Sequence, residues 1–178
     1  NIVSVLEEIV MSTVLYASEK KRNIIFDTDS EEIILACDED KIERIMLNLI
    51  SNAIKFSQLH TDIEIKIKRN VDLNRVYISV KNYGSNIEFN DREKIFERFH
   101  RVDNSLNRKN EGCGIGLFLC RKFIEMHGGE IFLDNIDNGT QFSFYLPINI
   151  TSEKIYNPLM QKDSLIEKCN IEFSDIYT

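Results

Sequence analysis

Residues 48–57 read Asn48-Leu49-Ile50-Ser51-Asn52-Ala53-Ile54-Lys55-Phe56-Ser57. They close a longer helical pattern in which Ile42, Ile45, Met46, Leu49, Ala53 and Phe56 define one apolar stripe. Asn48, Asn52 and Lys55 stand at i, i+4 and i+7, so they share the neighbouring stripe. Polar side chains that border a core stripe need partners. An amide oxygen suits a hard Mg2+ ion, and amide N–H groups and a lysine suit phosphate oxygens. The plainer alternative is a solvated helix flank. Upstream, Asp38-Glu39-Asp40 supplies the helix start, with negative charge at the positive end of the dipole.

Other elements follow on either side. Ile2, Val3, Leu6, Ile9, Val10, Val14 and Leu15 predict an amphipathic helix over 2–20. Strands are expected at 23–28, 32–37 and 75–81, and residues 62–68 alternate strictly, as a half-buried strand does. Residues 101–113 are polar and lack an apolar period; a loop this long inside a small domain reads as a functional lid. Helix is expected at 115–126, ended by Gly128-Gly129. A strand at 130–134, the turn Asn138-Gly139 and an alternating strand at 141–146 complete the pattern, and Pro147 closes it. The fold class expected is an α/β (α+β) two-layer sandwich, in which three helices cover one face of a mixed, mainly antiparallel sheet. Domain 1–148 carries this pattern, and 149–178 is an extension with weak periodicity and no assignable chemistry.

Three more motifs follow the first in order. Asn82-Tyr83-Gly84-Ser85-Asn86-Ile87 comes directly after an apolar strand. Ile95-Phe96-Glu97-Arg98-Phe99-His100-Arg101 precedes the lid; Phe96 and Phe99 read as core aromatics. Arg98 and Arg101 are either surface charges or guanidinium groups that steady charge on a transferring phosphate. Gly112-Cys113-Gly114-Ile115-Gly116-Leu117 opens a helix. Glycines let the backbone approach phosphate, and the helix amides favour negative charge there. The motif is neither a dinucleotide fingerprint, since no strand precedes it, nor a Walker loop, since no Lys-Ser/Thr follows.

The ordered set resembles the N, G1, F and G2 boxes of the ATP-binding domain of bacterial sensor histidine kinases, within the gyrase, Hsp90 and MutL ATPase superfamily. The resemblance covers roughly residues 1–148. It implies that Asn48 holds Mg2+, that Asn52 and Lys55 contact phosphates, and that Gly112, Gly114, Gly116 and Leu117 border the nucleotide. It also implies that Asn82 and Gly84 meet adenine, helped by the hydroxyl of Thr140 after Gly139, and that Phe96 and Phe99 anchor the lid. The family carries Asp-x-Gly-x-Gly at the second motif. Here Asn82 replaces the acid and Asn86 the second glycine. An Asn carbonyl still accepts a hydrogen bond, but as a neutral group it accepts a weaker one.

The formal charge of −7 argues against a nucleic-acid or anionic-membrane surface. Cys37, Cys113, Cys120 and Cys169 form no CxxC pair and no metal spacing, so they read as free thiols in a reducing compartment. No apolar run approaches the roughly 20 residues of a membrane span, and no signal peptide is apparent. The chain starts at Asn1 and reads as a domain cut from something longer. His60, His100 and His127 lack a following acid, and the resemblance implies that the phosphorylated histidine lies on a separate dimerisation helix upstream of this chain. The resulting expectation is a cytoplasmic catalytic domain that uses ATP and Mg2+, belongs to a homodimeric parent (membrane-anchored or not) and works with a response regulator. Two alternatives remain: a pseudokinase acting as a regulatory module, and a serine kinase of the same superfamily.

Overall fold

A computed structural model of the chain describes residues 1–100 and 114–150. Helix α1 (Ile2–Glu19) starts at Asn1, whose side-chain oxygen accepts the backbone N–H groups of both Val3 and Ile33. Strand β1 (Asn23–Thr28) follows, then helix α2 (Glu39–Phe56), strands β2 (Asp62–Asn70) and β3 (Arg75–Tyr83), helix α3 (Gly116–Met126), and strands β4 (Glu130–Ile136) and β5 (Gly139–Pro147). Two short 3-10 turns lie at Phe89–Asp91 and Lys94–Phe96.

The strand order is β1-β2-β3-β5-β4. Strands β1 and β2 run parallel, and the other pairs are antiparallel. The alternation read in the sequence sets which face is buried. Ile63, Ile65 and Ile67 of β2 and Val76, Ile78 and Val80 of β3 turn inward. They pack beneath Ile42, Ile45, Met46 and Leu49 of α2 in one core that also takes in Leu6, Ile9 and Ile124. Such burial is worth roughly 1.5–3 kcal/mol for each large aliphatic side chain. The opposite face carries Glu64, Lys66, Lys81 and Tyr83. Among the described residues it is covered by no helix, as an antiparallel sheet allows.

Several expectations change. Residues 32–37 form no strand. Their backbone is committed elsewhere: Ile33 O accepts Ile2 N–H, and Ala36 N–H donates to Asn149 O. Val14 and Leu15 are exposed on α1, where Thr13 and Ala17 continue the buried stripe instead. Phe56 is 52% exposed, because the backbone at the end of α2 is pressed against Gly84 and the side chain turns outward. Ile148 is buried and bonded to Asn74, so the packed unit runs through it. Arg101, Gly112, the lid 101–113 and residues 151–178 lie outside the described residues.

Candidate nucleotide site

Helix α2 is capped by Asp38, whose carboxylate accepts Lys41 N–H. The bond from the Lys41 side chain holds that carboxyl below the usual range. Ten residues on, Asn48 and Asn52 emerge half-buried on the flank the spacing predicted, with Lys55 beyond them. Asn52 Nδ2 donates to Asn48 Oδ1 at 3.2 Å.

Helix α3 crosses α2 at this point. A Cβ on Gly116 would stand 2.1 Å from Asn48 Nδ2, so only glycine fits. Cys120, one turn along α3, donates its thiol proton toward Asn48 Oδ1 at 3.6 Å. Among the described residues no side chain caps the first turn of α3, so its opening amides can take an anion. The Asn48, Asn52 and Gly116 positions are thus brought together, with Leu117 half-buried beside them. Gly114 takes a left-handed backbone (φ +64), where a Cβ would meet His100 O at 2.8 Å. Its carbonyl accepts Phe99 N–H at 2.9 Å, which joins the two ends of the segment between them.

A second cluster sits where β3 and β5 end. The register pairs Asn82 with Thr140. Both are buried, at 3% and 5% exposure. Thr140 Oγ1 donates to Asn82 Oδ1 at 2.9 Å. Gly84 is a close-approach position, because a Cβ there would stand 2.1 Å from Phe56 O. Gln58 N–H donates to Tyr83 O at 2.8 Å, so this end of the sheet adjoins the end of α2 that carries Lys55.

The F segment behaves unevenly. Phe96 is buried edge-on to Phe142 at 6.2 Å, and Arg121 of α3 stacks over it at 4.2 Å while pairing with Glu93 at 2.9 Å. Phe99 corrects its expected core place. It is 61% exposed with φ +66, since it occupies the left-handed turn that reaches Gly114. Arg98 is exposed and lies over the Phe99 ring at 4.7 Å; among the described residues it makes no ion pair.

Two contacts escaped the sequence reading. Cys120 was read only as a free thiol, although it stands one turn after Gly116 and so shares its face. His127, read as a helix end, also bridges two helices. Its Nε2 accepts Asp38 N–H at 3.0 Å, so Nδ1 carries the proton and donates to Phe123 O at 2.6 Å.

Comparison with known proteins fits this geometry. Residues 37–150 match the family of histidine kinase-, DNA gyrase B- and HSP90-like ATPases. The sensor histidine kinase WalK of Bacillus subtilis is 37% identical over 130 residues, which are 72% of this chain and 21% of WalK. The WalK protein of Staphylococcus saprophyticus is 34% identical over 137 residues, or 76% of this chain and 22% of that protein. The chain thus spans about a fifth of the length of these relatives. Among solved structures, the catalytic domain of histidine kinase ThkA superimposes with a TM-score of 0.74 at 29% identity, covering 84% of this chain and 96% of that one. Full-length ShkA in complex with AMPPNP gives a TM-score of 0.73 at 25% identity, covering 86% of this chain and 31% of that one. With its ordered motifs, its five-stranded mixed sheet and these likenesses, the chain belongs to the histidine kinase-, DNA gyrase B- and HSP90-like ATPase family, as a histidine-kinase-type ATP-binding domain.

Proposed function

We propose that this domain binds Mg-ATP and passes its γ-phosphoryl group to a histidine on a dimerisation helix upstream of Asn1, in a homodimeric kinase that then serves a response regulator. The observation that carries the reading is the packing of Gly116 onto Asn48, which puts uncapped helix amides beside two carboxamides. That donor set fits Mg2+ and phosphate: hard oxygen ligands for the cation, N–H groups for the anion. Bound Mg2+ would neutralise charge on the phosphate oxygens. Asn48 would hold the cation, its contact with the Cys120 thiol being weak enough to give way. Asn52 and Lys55 would orient the phosphates, with Gly112, Gly114, Gly116 and Leu117 closing over them. Asn82, Gly84 and Thr140 would receive the base. Arg98 and Arg101 would bring guanidinium groups to the transferring phosphoryl. The protein's part is therefore positioning and electrostatics.

ThkA has been solved in complex with the response regulator TrrA, which supports a partner of that class here. Among the described residues no helix is long and apolar enough to cross a membrane. Our reading puts the domain in the cytoplasm, where ATP and response regulators are found, with membrane attachment left to the parent. A pseudokinase is the second reading, favoured by the neutral Asn82 in place of an acid.

Labelled ATP separates the two. The chain alone should stay unlabelled, while an added dimerisation fragment of the parent kinase should acquire acid-labile label. Label on His60, His100 or His127 would sink the phosphotransfer scheme, and failure to bind any nucleotide would establish the pseudokinase.

A further inference from the structure

Asn82 and Thr140 form a pair whose chemistry differs from that of a fixed acceptor. Asn82 Oδ1 already accepts the Thr140 hydroxyl proton at 2.9 Å, inside a site where both residues are buried. Among the described residues the Asn82 NH2 group has no hydrogen-bond partner. It faces the Gly84 side, 3.6 Å from where a Cβ on that glycine would stand. An amide NH2 without a protein partner is free to donate to an acceptor that enters the site. The carbonyl oxygen of a 6-oxo purine is one.

The pair also has a second satisfied arrangement. A hydroxyl both donates and accepts, and a carboxamide presents oxygen and NH2 from one plane. With the amide turned over, Nδ2 donates to Thr140 Oγ1, and Oδ1 is released to accept from a 6-amino purine. Only the amide and the hydroxyl proton rotate. Each arrangement pairs the Asn82 oxygen and NH2 group once the matching base is bound, and in the second the Thr140 hydroxyl proton, released from Oδ1, turns toward the base edge, where ring N1 of a 6-amino purine accepts it. A carboxylate at this position has no such freedom, because it only accepts and it repels a carbonyl oxygen.

We infer that Asn82 and Thr140 act as a two-way reader of purine position 6, so that the site takes 6-oxo purine nucleoside triphosphates as well as ATP. This rests on the proposed nucleotide site and widens its substrate class. A site committed to one hydrogen-bond pattern rejects the mismatched base by a hundredfold or more, since a buried group is then stranded.

The test is a competition titration on the whole 178-residue chain with Mg-ATP, Mg-ITP and Mg-GTP. ITP changes position 6 without adding a group at position 2, so it is the deciding ligand. Its affinity should lie within about tenfold of that for ATP, as expected when neither base strands a buried group. ATP binding with ITP weaker than this would overturn the inference and leave the nucleotide site standing. Binding of none of the three would overturn both. Asn82→Asp should weaken ITP relative to ATP by at least about tenfold; an unchanged ratio would show that another group reads the base. Because a buried acid can unfold the domain, the ratio in the native chain decides the matter alone.

Discussion

At the residue scale, Asn52 is the sharpest point of the site. Among the described residues its side chain reaches only Asn48, which keeps the Cys120 thiol as a second donor. Removing the Asn52 amide therefore strands nothing in the fold. What is lost, on the proposed reading, is a phosphate contact, worth about 1.5–3 kcal/mol for a bond to a charged group. Asn52→Ala should weaken Mg-ATP binding at least about tenfold by calorimetry, with an unchanged thermal unfolding midpoint. Equal affinities would remove Asn52 from the site. The juxtaposition of Asn48 and Asn52 was legible because helical period alone places i and i+4 together. The bond from Thr140 to Asn82 was not. It depends on the register of two strands whose paired residues lie 58 positions apart, and sequence spacing does not carry that register.

At the scale of the element, the strands were legible where alternation was strict, and the expectation failed at 32–37, an apolar run without alternation. Residues 62–68 became the inward and outward faces of β2, whereas 32–37, the more apolar stretch, gave its backbone groups to Ile2 and Asn149. Phe99 shows the same limit, since a left-handed turn overrode its apolar character. The open face of the sheet offers a further test. Glu64 of β2 bonds Lys81 and Tyr83 of β3 and lies 3.1 Å from Lys66. The Lys81 hydrogen bond leads in pushing its carboxyl down to about 2, from an ordinary 4.5. A lowered folded-state value means the charged form is the stabilising one. Its contribution is complete above the ordinary value and fades as pH falls from there toward 2. Glu64→Gln should therefore lower the melting temperature at neutral pH by about 2–4 °C, the size expected of a partly exposed, screened pair. The two melting curves should converge as pH drops from 5 to about 2. A constant gap across that range would refute the assignment.

At the scale of the whole molecule, the family match begins at residue 37, yet the core does not. Helix α1 contributes Ile2, Val3, Leu6, Ile9 and Val10, and β1 covers an edge of β2. At roughly 1.5–3 kcal/mol for each side chain, that burial is comparable with the whole stability of a domain, about 5–15 kcal/mol. A chain cut to start at residue 37 should lose cooperative unfolding and associate through the bared edge of β2. A monomeric, cooperatively melting fragment would contradict this. Two of the contacts between α2 and α3 carry one more consequence. Gly116 rests on Asn48, and His127 grips Asp38, so antiparallel helices are riveted at two stations about 15 Å apart by helical rise. A beam fixed at two points neither slides nor pivots. A displacement of α3 at His127 is therefore expected to carry through one stiff helix to its glycine end, and so to Asn48.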